Sequence, residues 1–494
     1  VRKRAAATKS TPALPGPWLI ALCAALAAVY ALAARRLPVG ALNDDAANVL
    51  LARALLHGSF SFPGGLGKPA EFLPGLPLLL ALPSALVAPH WGLLRLIPLA
   101  CCALSLGLAW RLARRLLSPE AAAAAVLLAA LNPVLVGLGG LVMPYAPYLA
   151  LSLALIDGAD APGARSLAWL CAGAAAAALL RPHGLLLAAC LALPLAHRRR
   201  WGASAAVLAS AVLPVGAWVL HERLAPGAAA GYAEVWRRQL ADIGTPALEL
   251  SHAADLLARL FAESMLGLAD PWLPEAARVA AGLAFAAAAA AGAVRLLRRR
   301  RDDARAFALV LYAAGIFFLH MTWRWVSTRY AFPLVPLVWI LVAAAAEPLF
   351  ERRPVTARAL VLALALATAR FDAVHAQWGL TPFRFAPRAV DFIRASVPAD
   401  ARLYAVNNYT VALLTERACG PLPVAPHVAI WEVVASDDRV DRVLFQEPRP
   451  GDEFFPSDLP PTYQRVLSER LIAGRSVAEF RDDAEGTLLL RLKP

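Results

Sequence analysis

Asn43-Asp44-Asp45-Ala46-Ala47, followed after a short helix-like run by Glu71-Phe72-Leu73-Pro74-Gly75-Leu76-Pro77, is the stretch on which the reading of this chain turns. It lies where the chain leaves its first apolar segment, so two adjacent carboxylates stand at the mouth of a hydrophobic protein. That makes them candidates for catalysis. The same residues also read as an ordinary helix start: Asn or Asp caps free backbone N–H groups, acid suits the first turn, the body runs from Val49 to His57, and Gly58 ends it. Local sequence leaves both readings open, and the remainder of the chain has to decide between them.

The chain has 494 residues, 60% of them hydrophobic and 17% charged, with a mean hydropathy of +0.57. A soluble globule of this length does not carry that composition, so a multi-span membrane protein is expected. The formal charge of +13 sits in short basic clusters between apolar runs. That is the pattern of cytoplasmic loops, and nucleic acid is set aside as a partner. Cys23, Cys101, Cys102, Cys171 and Cys190 fall inside apolar runs and Cys419 alone lies in a polar region, so neither a disulfide framework nor a thiol metal site is supported. No spacing of His, Cys and carboxylates resembles a zinc site.

Arg2-Lys3-Arg4 and Lys9 precede an apolar run from Pro17 to Ala34, read as an uncleaved first span with a cytoplasmic N-terminus even though Ala31-Leu32-Ala33 resembles a signal-peptidase site. Residues 37–93 then form a first external loop, with two apolar stretches, Leu76–Leu82 and Ser84–Ala88, expected as short interfacial helices. Ten further spans follow from asking that basic clusters fall on alternate sides: Leu94–Trp110, Ala121–Leu138, Pro144–Ile156, Leu167–Leu180, Leu185–Leu195, Ala203–Leu220, Ala276–Leu296, Phe307–His320, Phe332–Ala346 and Ala359–Ala369. Arg35-Arg36 is the exception to the charge rule. Several runs are shorter than the ~20 residues of a straight span, as in broken or tilted helices around a cavity. The external loop 221–275 carries Tyr232, Trp236, Trp272, Arg237 and Arg238 as interface anchors and a helical period over Leu248–Leu266, and reads as an interfacial brace.

The expected fold class is therefore an all-α polytopic membrane domain of about eleven transmembrane helices over residues 1–372, with a small extracytoplasmic α/β domain over 373–494. In the latter, Arg388–Ala395 and Tyr463–Leu471 read as helices. Leu403–Val406, Val440–Phe445, Val477–Phe480 and Thr487–Leu492 read as strands, the last two joined by a turn at Asp482-Asp483-Ala484-Glu485-Gly486. There is no Gly-rich phosphate loop, and Asn408-Tyr409-Thr410 matches a glycosylation sequon only at chance frequency.

With this layout the chain resembles the GT-C superfamily of membrane glycosyltransferases, in particular bacterial members similar to protein O-mannosyltransferases and lipid A aminoarabinose transferases. The resemblance runs over nearly the whole chain through short motifs. Asp44-Asp45-Ala46-Ala47-Asn48 occupies the place of the family's acidic residue or pair after the first span, and Glu71-Phe72-Leu73-Pro74-Gly75-Leu76-Pro77-Leu78-Leu79-Leu80 that of a Pro-rich segment. Arg95-Leu96-Ile97-Pro98 and Arg111 to Pro119 match an Arg-opened second span with a basic end. Arg181-Pro182 matches an Arg-Pro between spans, and Arg329-Tyr330-Ala331-Phe332-Pro333-Leu334-Val335-Pro336 an Arg-Tyr opening a late span. One departure stands out: where many relatives carry an Asp just before a Pro in the second external loop, this chain has Tyr145-Ala146-Pro147.

The resemblance implies transfer of a hexosyl or pentosyl group from a polyprenyl-phosphate carrier to a hydroxyl acceptor (glycan, lipid or protein) on the outer face of a bacterial inner membrane, with inversion. Such a reaction needs a carboxylate to take the acceptor proton and cations to hold the lipid phosphate. Asp44 or Asp45 serves as base, Asp44 first because the family gives that role to the first acid of the pair. Glu71 either assists the acceptor or is a solvated loop carboxylate. Arg329 and Arg324, beside Tyr330, Trp323 and Trp325, offer guanidinium forks at headgroup depth, although Arg324 reads better as a snorkelling residue of an aromatic belt. Arg181 lies where two short spans meet and is costly there unless it lines a cavity, so it joins the substrate-binding set. His57, His183 and His320 read as structural or solvated. No cofactor is expected, and the missing Asp leaves a divalent metal unsupported. The alternatives are a polysaccharide polymerase or ligase of another membrane fold, and a lipid-linked sugar transporter.

Overall fold

A computed structural model describes residues 16–36, 38–40, 42–62, 72–160, 163–224, 254, 256–268, 273–321, 328–375, 387–405, 407–421, 442–446, 476–483 and 487–492. The eleven apolar stretches expected as spans fall on helical segments, one of them on two α-helices. In chain order the helices are α1 (Gly16–Arg36), α2 (Asp44–Leu56), α3 (Gly75–Val87), α4 (Leu96–Leu116), α5 (Pro119–Ala130), α6 (Pro133–Leu138), α7 (Tyr145–Gly158), α8 (Ala164–Leu180), α9 (His183–His197), α10 (Trp201–Leu224), α11 (Glu275–Arg299), α12 (Ala304–Met321), α13 (Val335–Arg352) and α14 (Pro354–His375). Among the described residues, four helical segments are long and apolar enough to cross a membrane by length and composition: Trp91–Leu116, Trp201–His221, Glu275–Arg299 and Arg329–Arg352. Shorter apolar helices fill the remainder of the bundle, α4 packing on α7, α8 on α9 and α10, and α11 and α5 on α13.

Two expectations about helix continuity are corrected. Leu76–Leu82 and Ser84–Ala88 belong to one helix, α3, which continues through Pro83. The proline removes one N–H from the helix ladder, and one residue on, the Ser84 hydroxyl donates back to the Ala81 carbonyl at 2.7 Å. The stretch Ala121–Leu138 breaks instead into α5 and α6. Asn132-Pro133 restarts the helix, the Asn132 Oδ1 accepting from Val134 N at 3.0 Å while its Nδ2 donates to the carbonyls of Ser264 and Met265. Of the loop 221–275, a π-helical turn, Leu257–Glu263, packs against α11; Tyr232, Trp236, Arg237, Arg238 and Trp272, expected as interface anchors, lie outside the described residues.

The helices have one acidic and basic end remote from Asp44. Asp157 in the last turn of α7, 2% exposed, binds Arg111 and Arg115 of α4, the latter at 2.6 Å, and its carbonyl accepts from Arg305. Glu347 near the end of α13 takes the backbone N–H of Ser118 and a guanidinium of Arg299. Arg198, following α9, pairs with Asp160 at 2.8 Å. These partners explain how basic clusters drawn together by the charge pattern are tolerated at one end of the bundle: each faces a carboxylate, buried in the cases of Asp157 and Glu347 and partly exposed in that of Asp160.

The C-terminal unit is a small α/β domain as expected. Helix α15 (Pro387–Ser396) precedes β1 (Arg402–Ala405), helix α16 (Asn408–Thr415) and β2 (Ala418–Pro421), followed by β3 (Arg442–Gln446), β4 (Ser476–Asp482) and β5 (Thr487–Leu492). The strand order is β2-β1-β3-β5-β4, parallel across the first two pairings and antiparallel across the others. Parallel pairing of β1 and β2 requires a crossover, and α16 provides it. Neither α16 nor β2 was expected from sequence, because Asn407-Asn408-Tyr409 reads as a loop and Ala418–Pro421 is short and contains Gly and Pro. The expected helix Tyr463–Leu471 lies outside the described residues.

Candidate active site

Asp44 is the first residue of α2, and its carboxylate lies 3.8 Å from Arg329 Nη1. Arg329 is delivered by a 3-10 turn, Thr328–Leu334, immediately before α13. Its guanidinium lies 5.3 Å from the centroid of the Tyr330 ring and donates from Nη2 to the Tyr330 hydroxyl at 3.5 Å. Residues 285 positions apart in sequence are thus joined into one acid–base pair, with both side chains partly accessible, 38% for Asp44 and 23% for Arg329.

Arg181 enters from another direction. The chain turns from α8 into α9 through Arg181-Pro182, and Gly184 makes the turn tight: a Cβ there would stand 2.3 Å from the Ala177 carbonyl carbon. Gly75 lets the start of α3 approach the end of α8 equally closely, a Cβ meeting Leu179 backbone at 2.6 Å. Between these contacts Arg181 is 7% exposed, its Cζ 4.7 Å from the Tyr145 ring centroid and 5.9 Å from that of Tyr148, and its Nη1 has no hydrogen-bond partner. A buried guanidinium held by aromatic faces with a donor left over is poised for an anion.

Tyr145, the residue standing in place of the family's Asp, was not singled out as a site residue, yet its ring carries the Arg181 guanidinium and feels the charge of Arg329. It is 4% exposed, its ring is 5.8 Å from that of Phe332, and it is within electrostatic reach of Arg329, Arg181, Tyr330 and Asp44. Behind it Tyr148 and Tyr312 share a hydrogen bond of 2.6 Å, and His183 and His320 have ring centroids 5.9 Å apart, with His320 5.5 Å from Tyr330. His320 is anchored to the Ile316 carbonyl; His183 Nδ1 is buried and has no hydrogen-bond partner. The histidines expected to be structural therefore form part of the wall. The signal that could have found this wall is the polar aromatic spacing Tyr145, Tyr148 and Tyr312 in otherwise apolar runs.

Asp45 is placed differently from Asp44. It is fully buried and points back at the preceding loop, accepting from Gly40 N at 2.6 Å and Leu42 N at 3.1 Å. Burial pushes its carboxyl up to about 6, against the lowering effect of N–H groups from Gly40, Leu42 and Ala46, with the Asp44 charge adding to the rise. It is positioned to fix the loop rather than to meet a substrate. Asn43 likewise makes no side-chain cap on its own helix, contrary to the helix-start reading; its side chain turns to α16. Glu71 and Arg324 lie outside the described residues. Among the described residues there is no group of three or more His, Cys, Asp or Glu that could hold a metal.

No protein-family model matches the chain, and no curated protein sequence matches it. Solved structures do. ArnT from Cupriavidus metallidurans bound to undecaprenyl phosphate superposes with a TM-score of 0.64 at 14% identity, covering 97% of this chain and 98% of that one. The apo state of the same protein gives 0.60 at 13% identity, over 96% and 98%. The oligosaccharyltransferase AglB from Archaeoglobus fulgidus, in complex with an inhibitory peptide and a dolichol-phosphate, gives 0.56 at 14% identity, over 86% and 69%. The chain therefore shares its fold with these solved structures, over nearly its whole length in the case of ArnT.

Proposed function

We propose that the protein is a membrane glycosyltransferase that moves a sugar from a polyprenyl-phosphate donor to a hydroxyl acceptor, with inversion, at the end of the bundle that carries Asp44. The observation supporting this most directly is the convergence of Asp44, Arg329 and Arg181 around Tyr145 within a fold whose solved examples include ones bound to undecaprenyl phosphate and dolichol-phosphate.

In this reading the acceptor oxygen attacks the anomeric carbon as the bond from that carbon to the phosphate oxygen breaks. The hydroxyl proton passes to the Asp44 carboxylate, and polyprenyl phosphate leaves with the electron pair. Negative charge builds on the leaving phosphate. Arg181, with an unpartnered donor in an almost dry setting, and Arg329, partly exposed beside Asp44, are the cations that answer it. Tyr145 stacks its ring under the Arg181 guanidinium and lies within electrostatic reach of Arg329. The tyrosine hydroxyls and the His183 Nδ1 supply hydrogen-bonding groups of the size and neutrality that a sugar ring needs. Glu71 and Arg324 remain candidates for the acceptor side and the headgroup belt. The bacterial inner membrane as location, an N-terminus inside and a C-terminal domain outside, and the crossing count of eleven belong to the same proposal; the charge pattern supports them.

The test is release of free polyprenyl phosphate from a panel of polyprenyl-phosphate sugars by purified protein, with a membrane extract supplying acceptors. Release dependent on both protein and extract is expected for at least one donor. Folded protein that releases nothing from any donor, yet exchanges a lipid-linked sugar across a vesicle membrane, would replace this reading with the transporter.

A further inference from the structure

The C-terminal domain reaches back to the residue that precedes the proposed base. Asn43 has φ +58°, a conformation that side-chain-bearing residues rarely adopt and that persists where surrounding contacts impose it. Those contacts come from α16. Asn43 Oδ1 accepts from Tyr409 N at 3.0 Å and Thr410 N at 3.1 Å, and its Nδ2 donates to Asn408 Oδ1 at 3.3 Å. It thereby supplies the N-terminal cap that α16 does not get from its own Asn407, which makes no side-chain cap bond. In return the Thr410 hydroxyl donates to the Gly40 carbonyl at 2.8 Å, and Gly40 is the residue whose N–H is held by Asp45. The ring of Tyr409 stacks on Phe62 at 4.4 Å and meets Phe72 edge-on at 5.9 Å, closing the contact with apolar surface. Gly40, Leu42, Asn43, the first turn of α2 and the first turn of α16 form one interlocked unit with Asp44 at its rim.

We infer that Asn43 and Thr410 are positioning residues: through them the C-terminal domain sets the placement of the Asp44 carboxylate relative to Arg329. This inference rests on the reading of Asp44 as the base. The physical need is plain, since a proton acceptor displaced by about 1 Å forfeits on the order of a hundredfold in rate. The bonds that fix α2's first turn come from a domain more than 360 residues away in sequence, with separations of 365 to 370 positions across the four hydrogen bonds. The same contacts explain why the sequon Asn408-Tyr409-Thr410 is not a modification site in the folded protein: Asn408 is 3% and Thr410 2% exposed, with their polar groups engaged.

The experiment uses full-length protein in detergent and compares wild type with Asn43→Gly, Thr410→Val, Thr410→Ser and Asp44→Asn. Asn43→Gly accepts the positive φ while removing the bridge; Thr410→Val removes the hydroxyl from a side chain remote from the chemistry, and Thr410→Ser restores it. Hydrogen exchange of amides 42–48 is read first and needs no substrate. Faster exchange in Asn43→Gly and Thr410→Val, with Thr410→Ser like wild type, is the expected result, and unchanged protection overturns the clamp. Kinetics on an undecaprenyl-phosphate hexose that the wild type turns over are read second. The expected result is a kcat lowered at least tenfold in Asn43→Gly and Thr410→Val, a donor KM within about twofold, and recovery in Thr410→Ser. A loss confined to KM, or wild-type kcat with the clamp released, overturns the positioning role. If Asp44→Asn is itself fully active, the base reading falls and the catalytic role of the clamp falls with it, a result distinct from an inactive Asp44→Asn beside a fully active Asn43→Gly.

Discussion

Replacement of Asp44 by Asn separates chemistry from stability, because the structure assigns the two very different magnitudes. The ion pair with Arg329 spans 3.8 Å with side chains 38% and 23% exposed, so solvent screens it and its contribution to the fold is about 0.2–1 kcal/mol. The carboxylate at the first position of α2 adds about 0.3–1 kcal/mol through the helix dipole. Asn is close in size and well tolerated at a helix start, so the variant is expected to melt within a few degrees of wild type. A general base, by contrast, contributes about 10²–10⁴ in rate, or roughly 3–5 kcal/mol of barrier. The assay is single-turnover release of free polyprenyl phosphate, followed beside thermal unfolding of the same preparations, with Asp45→Asn as the control. Expected is a fall of at least a hundredfold in Asp44→Asn and a smaller fall in Asp45→Asn. Undiminished release by Asp44→Asn would refute the assignment, and a dead Asp45→Asn beside a fast Asp44→Asn would transfer the role to the buried neighbour.

Arg329→Ala removes one phosphate contact and is expected to raise donor KM about 10- to 100-fold while leaving acceptor KM near wild type, since a hydrogen bond to a charged group is worth about 1.5–3 kcal/mol; equal effects on both would return Arg329 to the aromatic belt. Arg181→Met is expected to weaken donor binding at least tenfold yet to melt no lower than wild type: the cation–π contacts are worth about 2 kcal/mol, less than the several kcal/mol that a buried, incompletely paired charge costs. Thermal scans and donor titration read the two effects separately. Asp45 binds its proton more tightly folded than unfolded, so its contribution to stability is full below about pH 4 and is lost as the pH rises through about 6. The unfolding midpoint of wild type should therefore fall over that window relative to Asp45→Asn, and parallel curves for the two proteins would contradict the assignment.

Composition and charge pattern pointed to the class of molecule and to the positions of most of the bundle helices, because repeated apolar runs separated by basic clusters fit a bilayer better than water. Asp44, Arg329 and Arg181 were legible only as candidates, Arg181 as a charge where two short apolar runs meet and Asp44 and Arg329 through the motifs that resemble a known family. What sequence could not supply was their association: Asp44 and Arg329 meet only because α2 and the turn before α13 pack at one end of the bundle, and Tyr145 becomes their neighbour through α7. Nor could it separate Asp44 from Asp45, adjacent carboxylates that one helical step of about 100° sends respectively toward Arg329 and into the backbone of Gly40 and Leu42. Asn43 shows the limit most clearly. Its side chain reads as a local cap, but the hydrogen bonds it makes are to Tyr409, Thr410 and Asn408, and only the tertiary fold brings those groups within 3.3 Å. Local pattern determines which solvent a segment can occupy; which polar groups satisfy one another across hundreds of residues is decided by packing.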